Sequence, residues 1–466
     1  MTLAGSHIDR GMRSPGARSP IRNVTRVPII RSRLPLRGQL SKANNTVAVA
    51  IVMLAATISG GSAYLAHGRP LPEVLLTGPA VLAILLSAFV INKVSEAKQW
   101  WLVWAMMTIV ISGYCFLALV NGNVSASLRT VVQVSMNLFC FVVGFSHVLC
   151  GKDHKVARLI TLLVSLMCLI ALIGLKLVVP YTASDLPKNI LGGVSLYLSV
   201  VAVACIMASR SRDYRGLIWL PLLMIIVGGF SQQRLVEGLG AALVPLIMFT
   251  SRLKSRMVDI GILTFALIVA LVSVVIYIYP DAIPGFNDLN DQVQAQTGRQ
   301  ITSGRQMIWG LILLRVQQSP FLGAGLTVLA QDVTGLDLSS HNAFLMILLQ
   351  GGIVGLTLIC MFLLSVFFTS LSFPASPWRT LASTTIGIII IHNNYETALI
   401  QNNFPISSVL WLSLGLVCRQ LGWASEQQPV SALHDTANES KSRFWERVAK
   451  ARTPLRLEAP KINVKA

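Results

Sequence analysis

Arg234 and His341 are two side chains whose type and position could serve a reaction. Arg234 lies in a short turn between two apolar runs, where a guanidinium has little freedom and can grip a phosphate or diphosphate through two parallel hydrogen bonds. Anchoring to lipid headgroups is the alternative for this arginine. His341 opens a long apolar run, and imidazole is a natural acceptor for a hydroxyl proton near neutral pH. An interfacial or capping role is its alternative, and His67 and His392 are predicted to reach the same face.

A helix is predicted over residues 302–318, between those two candidates, with Ser303 as its cap. Its predicted apolar face comprises Met307, Ile308, Leu311, Ile312 and Val316. Arg305 and Trp309 are four residues apart, so they should project from the same side of the helix. Anchoring at a membrane interface would explain both side chains equally well.

Small and polar residues follow this predicted helix. Gly323 and Gly325, in the sequence SPFLGAGL, suit a tight turn or a close approach of the backbone to a ligand. Asn342 lies at the entrance of the next predicted helix. Gly351 and Gly355 form a GxxxG pattern in that helix, which favours close helix packing.

The sequence lacks the patterns that are typical of nucleotide hydrolysis, dinucleotide binding, zinc proteolysis or serine hydrolysis. Its seven cysteines include no CxxC pair, which argues against a disulfide scaffold or a thiolate metal site. The aspartates between residues 280 and 341 lack a compact spacing for a cation. The sequence therefore predicts neither a metal nor a cofactor.

Apolar runs dominate the chain. It has 466 residues, of which 54% are hydrophobic and only 12% charged, and a mean hydropathy of +0.66. Runs of roughly 17–25 apolar residues predict an all-α polytopic membrane protein with about twelve transmembrane helices. They are predicted near 45–66, 75–91, 100–120, 130–150, 159–179, 190–208, 217–230, 235–250, 258–279, 343–369, 380–392 and 405–421.

The net charge of +19 points to the membrane rather than to nucleic acid. The gaps that would be cytoplasmic hold most of the basic residues of the short loops, Arg379 among them, whereas each small outer gap holds at most one. The outer ones are Arg69, Arg129, Lys188 and Arg234. Both termini are therefore predicted in the cytoplasm, and the polar loop 280–341 on the outer, periplasmic face.

Three regions are predicted. Residues 1–44 form a disordered basic cytoplasmic tail that contacts membrane lipids, residues 45–421 the transmembrane domain, and residues 422–466 a cytoplasmic carboxyl tail. Apart from Lys176 and Glu237 the predicted spans are nearly uncharged. A transporter or flippase, with a polar path through the membrane, is therefore the less favoured class.

The motifs together resemble a family. An outer-turn arginine, then SGRQMIW, PFLGAGL and SHNAFLMILLQGGIVGL are similar to the O-antigen ligase and O-antigen polymerase superfamily. The similarity is specific across about 300–360. Two departures are Gln350, where many members have an acid, and SQQR at Arg234, where a serine-arginine pair is common.

The resemblance implies a metal-independent, inverting glycosyltransferase of the bacterial inner membrane that works on the periplasmic face. Its donor would be a glycan on undecaprenyl diphosphate. The acceptor would be the lipid A core in a ligase, which is slightly favoured, or a second lipid-linked glycan in a repeat-unit polymerase. Arg234 and Arg305 would hold the diphosphate and His341 would act as the base. The implied substrate contacts are Trp309, Asn342, Gly323 and Gly325.

Overall fold

The computed structural model describes residues 98–121, 123–147, 186–208, 238–239, 242, 255–297, 305–335, 339–400 and 406–425. Several predicted features lie outside these residues. They are the amino-terminal tail, the carboxyl tail beyond residue 425, the spans near 45–66, 75–91, 159–179 and 217–230, and most of the span near 235–250. Arg234, Lys176, Glu237 and His67 also lie outside them. The count of about twelve spans therefore stays a prediction.

All secondary structure in the described part of the chain is helical. The helices are α1 (Trp101–Val120), α2 (Val124–Ser146), α3 (Leu186–Ala208), α4 (Arg256–Ile278), α5 (Phe286–Thr297), α6 (Arg305–Gln318), α7 (Ala330–Thr334), α8 (Ala343–Ser372), α9 (Pro377–Asn393) and α10 (406–425). Short 3-10 turns occupy Lys98–Trp100 and Pro280–Ala282.

Four of these helices are long and apolar enough to cross a membrane. They are α1, residues Ala126–Ser146 of α2, α4 and α8. Large apolar side chains stay exposed on them, as at Leu119 and Leu271, which is expected where a helix faces lipid. The chain is therefore a multi-pass helical membrane protein, as predicted.

The helix boundaries differ from the predicted ones by a few residues. α2 begins at Val124 rather than near 130, because the Asn123 side chain accepts a hydrogen bond from the Ala126 N–H at 3.3 Å and caps the helix. Arg129, predicted in an outer gap, therefore lies within α2. Lys188, also predicted in an outer gap, lies within α3. The last described helix reaches residue 425 instead of 421.

Two charged residues lie buried in the first turns of helices. Asp259 lies inside α4 and is fully buried, so this predicted span carries a charge. Arg379, predicted in a cytoplasmic gap, is buried in the first turn of α9. The Arg379 Nε donates to the Asp259 Oδ2 at 2.7 Å, so the two side chains form a buried ion pair.

Small residues set the distances between several helices. α1 packs along α8, and Leu117 of α1 lies over the GxxxG pair, since added Cβ atoms at Gly351 and Gly355 would be 3.2 and 3.7 Å from its Cδ1. The predicted close packing is confirmed at Gly351, whereas a Cβ at Gly355 would make only ordinary contacts. α2 and α10 come closer still, because a Cβ at Gly144 would be 2.1 Å from the Leu412 carbonyl oxygen.

α8 is interrupted at Gly352, which has φ 62° and ψ −161°. The segment 320–324 replaces the helical hydrogen bonds that this break removes. The Ile353 N–H donates to the Pro320 carbonyl at 2.8 Å, and the Val354 N–H to the Phe321 carbonyl at 3.1 Å. In return the Ala324 N–H donates to the Leu349 carbonyl at 2.7 Å.

Only glycine fits at the two closest points of this junction. A Cβ on Gly352 would lie 2.3 Å from the Phe321 carbonyl oxygen, and one on Gly323 would lie 2.5 Å from the Gln350 carbonyl oxygen. Gly323 also has a positive φ, of 77°, which glycine adopts at little cost. The tight backbone approach that the sequence suggested for Gly323 is thus made to α8.

Replacing Gly352 by alanine should destabilise the protein by about 3 kcal/mol or more, since strain at positive φ adds to a backbone clash and lost hydrogen bonds. Thermal unfolding of the purified protein in detergent measures this change. Gly355→Ala is the matched control in the same helix. Its nearest neighbours are 3.7 Å away, so its stability should be equal or slightly higher. Equal stability of the two variants would contradict the junction.

Candidate active site

Arg305 lies beside two tyrosine rings, which contact each other edge-on with their centroids 6.2 Å apart. Its Cζ is 6.0 Å from the ring centroid of Tyr277, in the last turn of α4, and 5.9 Å from that of Tyr395, just after α9. The Tyr395 hydroxyl hydrogen-bonds to the Ser273 Oγ of α4. Cation–π attraction to both rings restrains the guanidinium at the meeting point of three helices. We call Tyr277 and Tyr395 the tyrosine clamp.

Trp309 is fully buried one helical turn beyond Arg305. Its indole Nε1–H donates to the Ser340 carbonyl at 2.7 Å, and its ring centroid is 4.7 Å from that of Tyr277. Arg305 and Trp309 therefore project together, as predicted. Met307 is a correction, because it is 53% exposed and does not lie on the buried face of α6. The full burial of Trp309 fits a packing role; its contact with substrate stays a prediction.

His341 has a left-handed backbone, with φ 45°, which no other non-glycine residue in the described part of the chain shares. This conformation costs about 1–2 kcal/mol for a residue with a Cβ. The neighbouring residues hold it. The Ser339 Oγ accepts the His341 N–H at 3.3 Å, and Ser340 is bonded to Trp309. Such strain is concentrated at functional sites in many proteins.

Asn342 fixes the other side of His341. Its Oδ1 accepts the Leu345 N–H at 2.9 Å and so caps α8, and its Nδ2 donates to the Asn394 Oδ1 at 3.0 Å. The Asn394 Nδ2 donates in turn to the Ala270 carbonyl of α4 at 3.4 Å. Asn342 is fully buried, so these contacts make it a positioning residue, and its predicted contact with substrate stays a prediction.

Glu396 faces His341. The His341 Nδ1 is 3.6 Å from the Glu396 Oε2, and the side chains are 27% and 8% exposed. This separation exceeds a direct hydrogen bond, so the contact is electrostatic. Because Nδ1 is buried, the exposed part of the ring lies elsewhere, and Nε2 is the nitrogen left for a substrate. Glu396 lies in the polar sequence NYET that follows α9, and nothing in that local pattern distinguishes it from a solvated loop residue.

Two independent contacts place Arg305 and His341 in one cluster. Tyr395, which contacts Arg305, immediately precedes Glu396, which contacts His341. Trp309, one turn beyond Arg305, is bonded to the residue before His341. The shared site predicted for these two side chains is consistent with both contacts. Arg234 lies outside the described residues, and its place in this site stays a prediction.

Gly325 and Gln350 lie beside the junction with α8 rather than in this cluster. Gly325 has φ 125° and packs near the Val328 side chain. The Gln350 Nε2 donates to the Val328 carbonyl at 3.1 Å, so this residue holds the 325–328 turn. Direct binding of substrate by Gly323 and Gly325 stays a prediction.

His392 is not exposed on the outer face, contrary to the prediction. It is fully buried, and its Nδ1 is 3.1 Å from the hydroxyl of Tyr197 in α3. This removes one competitor of His341. Among the described residues no group of three or more His, Cys, Asp and Glu side chains is placed to hold a metal ion.

The left-handed backbone at residue 341 predicts an unusual order of stabilities. His341→Gly should be more stable than His341→Ala by about 1 kcal/mol, because both variants lose the imidazole but only alanine keeps the strain. Thermal unfolding in the same detergent gives the comparison. At Gln317, an exposed position of α6, the order should be reversed by a similar amount. The same order at both positions would contradict the strain.

Comparison with protein families agrees with the resemblance seen in the motifs. Residues 197–360 match the family model described as O-antigen ligase. The matched region contains α4 to α7, Arg234, Arg305 and His341, and it ends before Tyr395 and Glu396. No curated protein sequence matches the chain.

Proposed function

We propose, on the premise that residues 197–360 belong to the O-antigen ligase family, that this protein is a membrane glycosyltransferase of lipopolysaccharide biosynthesis. It would move a glycan from undecaprenyl diphosphate to the lipid A core on the periplasmic face of the bacterial inner membrane. The observation that carries the proposal is the cluster in which a tyrosine-held arginine lies close to a strained histidine facing a carboxylate.

The reaction needs a base for the acceptor hydroxyl. As the hydroxyl oxygen attacks the anomeric carbon, its proton passes to the His341 Nε2. Glu396, on the Nδ1 side, fixes the ring and stabilises the imidazolium that forms. The bond between the anomeric carbon and the diphosphate oxygen breaks, and undecaprenyl diphosphate leaves with the electron pair. Attack from the face opposite the leaving group inverts the anomeric centre.

The reaction also needs positive charge for the leaving diphosphate. Arg305 supplies it, together with Arg234 of the predicted outer turn. The rings of the tyrosine clamp attract the guanidinium from one side, which leaves N–H groups away from the rings for phosphate oxygens. A cation held before substrate arrives needs little reorganisation as charge develops. Because the donor carries its own leaving group, the mechanism uses neither a metal nor a nucleotide sugar.

Two alternatives remain. A repeat-unit polymerase would use the same cluster with a second lipid-linked glycan as acceptor. A transporter or flippase would need charges that line a path through the membrane. The buried charges in α4 and α9, Asp259 and Arg379, are paired with each other at 2.7 Å, which fits a structural contact better than a path.

Deletion of the gene should leave long glycans stranded on undecaprenyl diphosphate, with bare lipid A core. Gel analysis and mass spectrometry of the host's glycolipids measure both products, and a returned wild-type copy should restore the normal profile. Core that carries a single repeat unit would instead identify a polymerase. An unchanged profile would reject both and favour the transporter.

Site variants returned to the deletion strain should show that the two arginines of α6 differ in their effect on glycan transfer. Arg305→Ala should lower transfer on the order of 10²- to 10³-fold, as expected for a lost charge-stabilising group. His341→Ala should lower it on the order of 10²- to 10⁴-fold. Arg315→Ala is the matched control, because Arg315 lies near the other end of α6 and hydrogen-bonds to Gln318. Equal effects of Arg305→Ala and Arg315→Ala would contradict the assigned site.

Glu396→Gln should lower transfer by a smaller factor than His341→Ala, on the order of tenfold to a hundredfold, because the imidazole remains but loses its facing charge. In the His341→Ala background the same substitution should have little further effect, since the two residues act as one unit. Initial rates with purified protein and lipid-linked donor measure both. Independent, multiplicative losses would show that Glu396 does not act through His341.

A further inference from the structure

The ion pair between Asp259 and Arg379 is buried far from the candidate active site. Asp259 is 0% and Arg379 2% exposed. The Arg379 Nη1 also donates to the Phe373 carbonyl at 3.2 Å. Burying two charges among apolar helices carries a large desolvation cost, so such a pair is weak evidence for stability. Its best-attested use is to specify how two helices are aligned.

α4 and α9 run parallel from this ion pair to the active site. The pair joins their first turns. In the middle, a Cβ on Gly387 would lie 3.6 Å from the Ala266 Cβ. At the far end, Asn394 donates to the Ala270 carbonyl, and the Tyr395 hydroxyl bonds to Ser273. Both helices therefore start at the ion pair and end at the tyrosine clamp.

We infer that Asp259 and Arg379 are positioning residues, which fix the axial register of α4 and α9 and thereby hold the two rings of the tyrosine clamp against each other and beside Arg305. The physical reason is the composition of the interface. Between the two polar ends it consists of small and apolar residues such as Ile262, Ala266 and Gly387, and apolar surfaces attract without direction. A buried ion pair is directional, so it can fix the alignment of the two helices along their axes, which the apolar contacts alone do not.

The effect of a change in register follows from the fixed rise per residue of an α-helix. Tyr277 follows Asp259 by 18 residues, or about 27 Å along α4. A slip of a single residue would shift Tyr277 by about 1.5 Å relative to Tyr395. A shift of about 1 Å in positioning groups can cost on the order of 10²-fold in rate. The catalytic consequence rests on the proposed function, whereas the register itself can be measured without it.

A cysteine pair reports the register directly. Ala266→Cys with Gly387→Cys should form a disulfide in the native alignment, because the Cβ separation of 3.6 Å lies within the usual range. Neither position contacts the active site. In the full chain in membranes, the crosslink is identified by mass spectrometry of the 266–387 peptide pair. With the wild-type ion pair, crosslinking should be efficient, and transfer should be nearly the same in reduced and oxidised protein.

Two variants of the ion pair are then compared in the protein that carries the cysteine pair. Asp259→Asn removes one charge. The double variant Asp259→Leu with Arg379→Met removes both, which leaves no unpaired buried charge and preserves folding if the single change does not. In each folded variant we expect a lower crosslinking yield and a loss of transfer on the order of tenfold or more. Oxidation of the fraction that still crosslinks should restore transfer toward the wild-type rate.

Rescue by the disulfide separates register from general stability. A folded double variant with wild-type crosslinking and transfer would overturn the inference, as would a crosslinked variant that stays inactive. Absence of glycan transfer in the wild-type protein itself would reject the proposed function. In that case the crosslinking yields alone decide whether the ion pair sets the register.

Discussion

Backbone hydrogen bonding of α8 is the constraint on which the candidate site depends. In a membrane, N–H and C=O groups must find partners within the protein, and the break at Gly352 deprives several of theirs. Segment 320–324 supplies the missing partners. It follows directly after α6, so the junction ties α6 to α8. Arg305 and Trp309 on α6 are consequently held near the start of α8, where Trp309 bonds to Ser340, the residue before His341. Gly323 and Gly352 support the candidate site through the close backbone contact between the segment after α6 and α8.

Arg379 and Arg305, which both lie near α4 and α9, differ in the groups that surround their charge. Arg379 is paired with a carboxylate at 2.7 Å, so its charge is neutralised. Arg305 contacts two aromatic rings, and among the described residues it forms no ion pair within 4.0 Å. Rings orient a guanidinium without cancelling its charge. This difference suits Arg379 to fixing helices and Arg305 to binding an anion such as a diphosphate.

The sequence predicted what local spacing determines. The i, i+4 relation joined Arg305 to Trp309, hydropathy located the four apolar spans, and the polar entrance of α8 drew attention to His341. The contacts that the sequence did not predict are nonlocal. Tyr277 reaches the site from the end of α4, whereas Tyr395 and Glu396 follow α9, more than a hundred residues later. Asp259 and Arg379 are likewise paired across 120 residues. A GxxxG pattern indicated close packing, yet nothing local distinguished Gly352, whose positive φ depends on the chain segment that docks there.

The strain at His341 bears on how such a site would work. A left-handed backbone at a residue with a Cβ persists only where the surroundings determine it, and here the bonds of Trp309, Ser339 and Asn342 do so. The protein's own contacts thus orient the imidazole, and the tyrosine clamp likewise restrains the Arg305 guanidinium. In the proposed transferase, groups fixed by packing would leave the binding energy of the donor to align the anomeric carbon instead. Preorganisation of this kind ties the rate to the alignment of α4, α6, α8 and α9, and so to contacts that lie far from the reacting atoms.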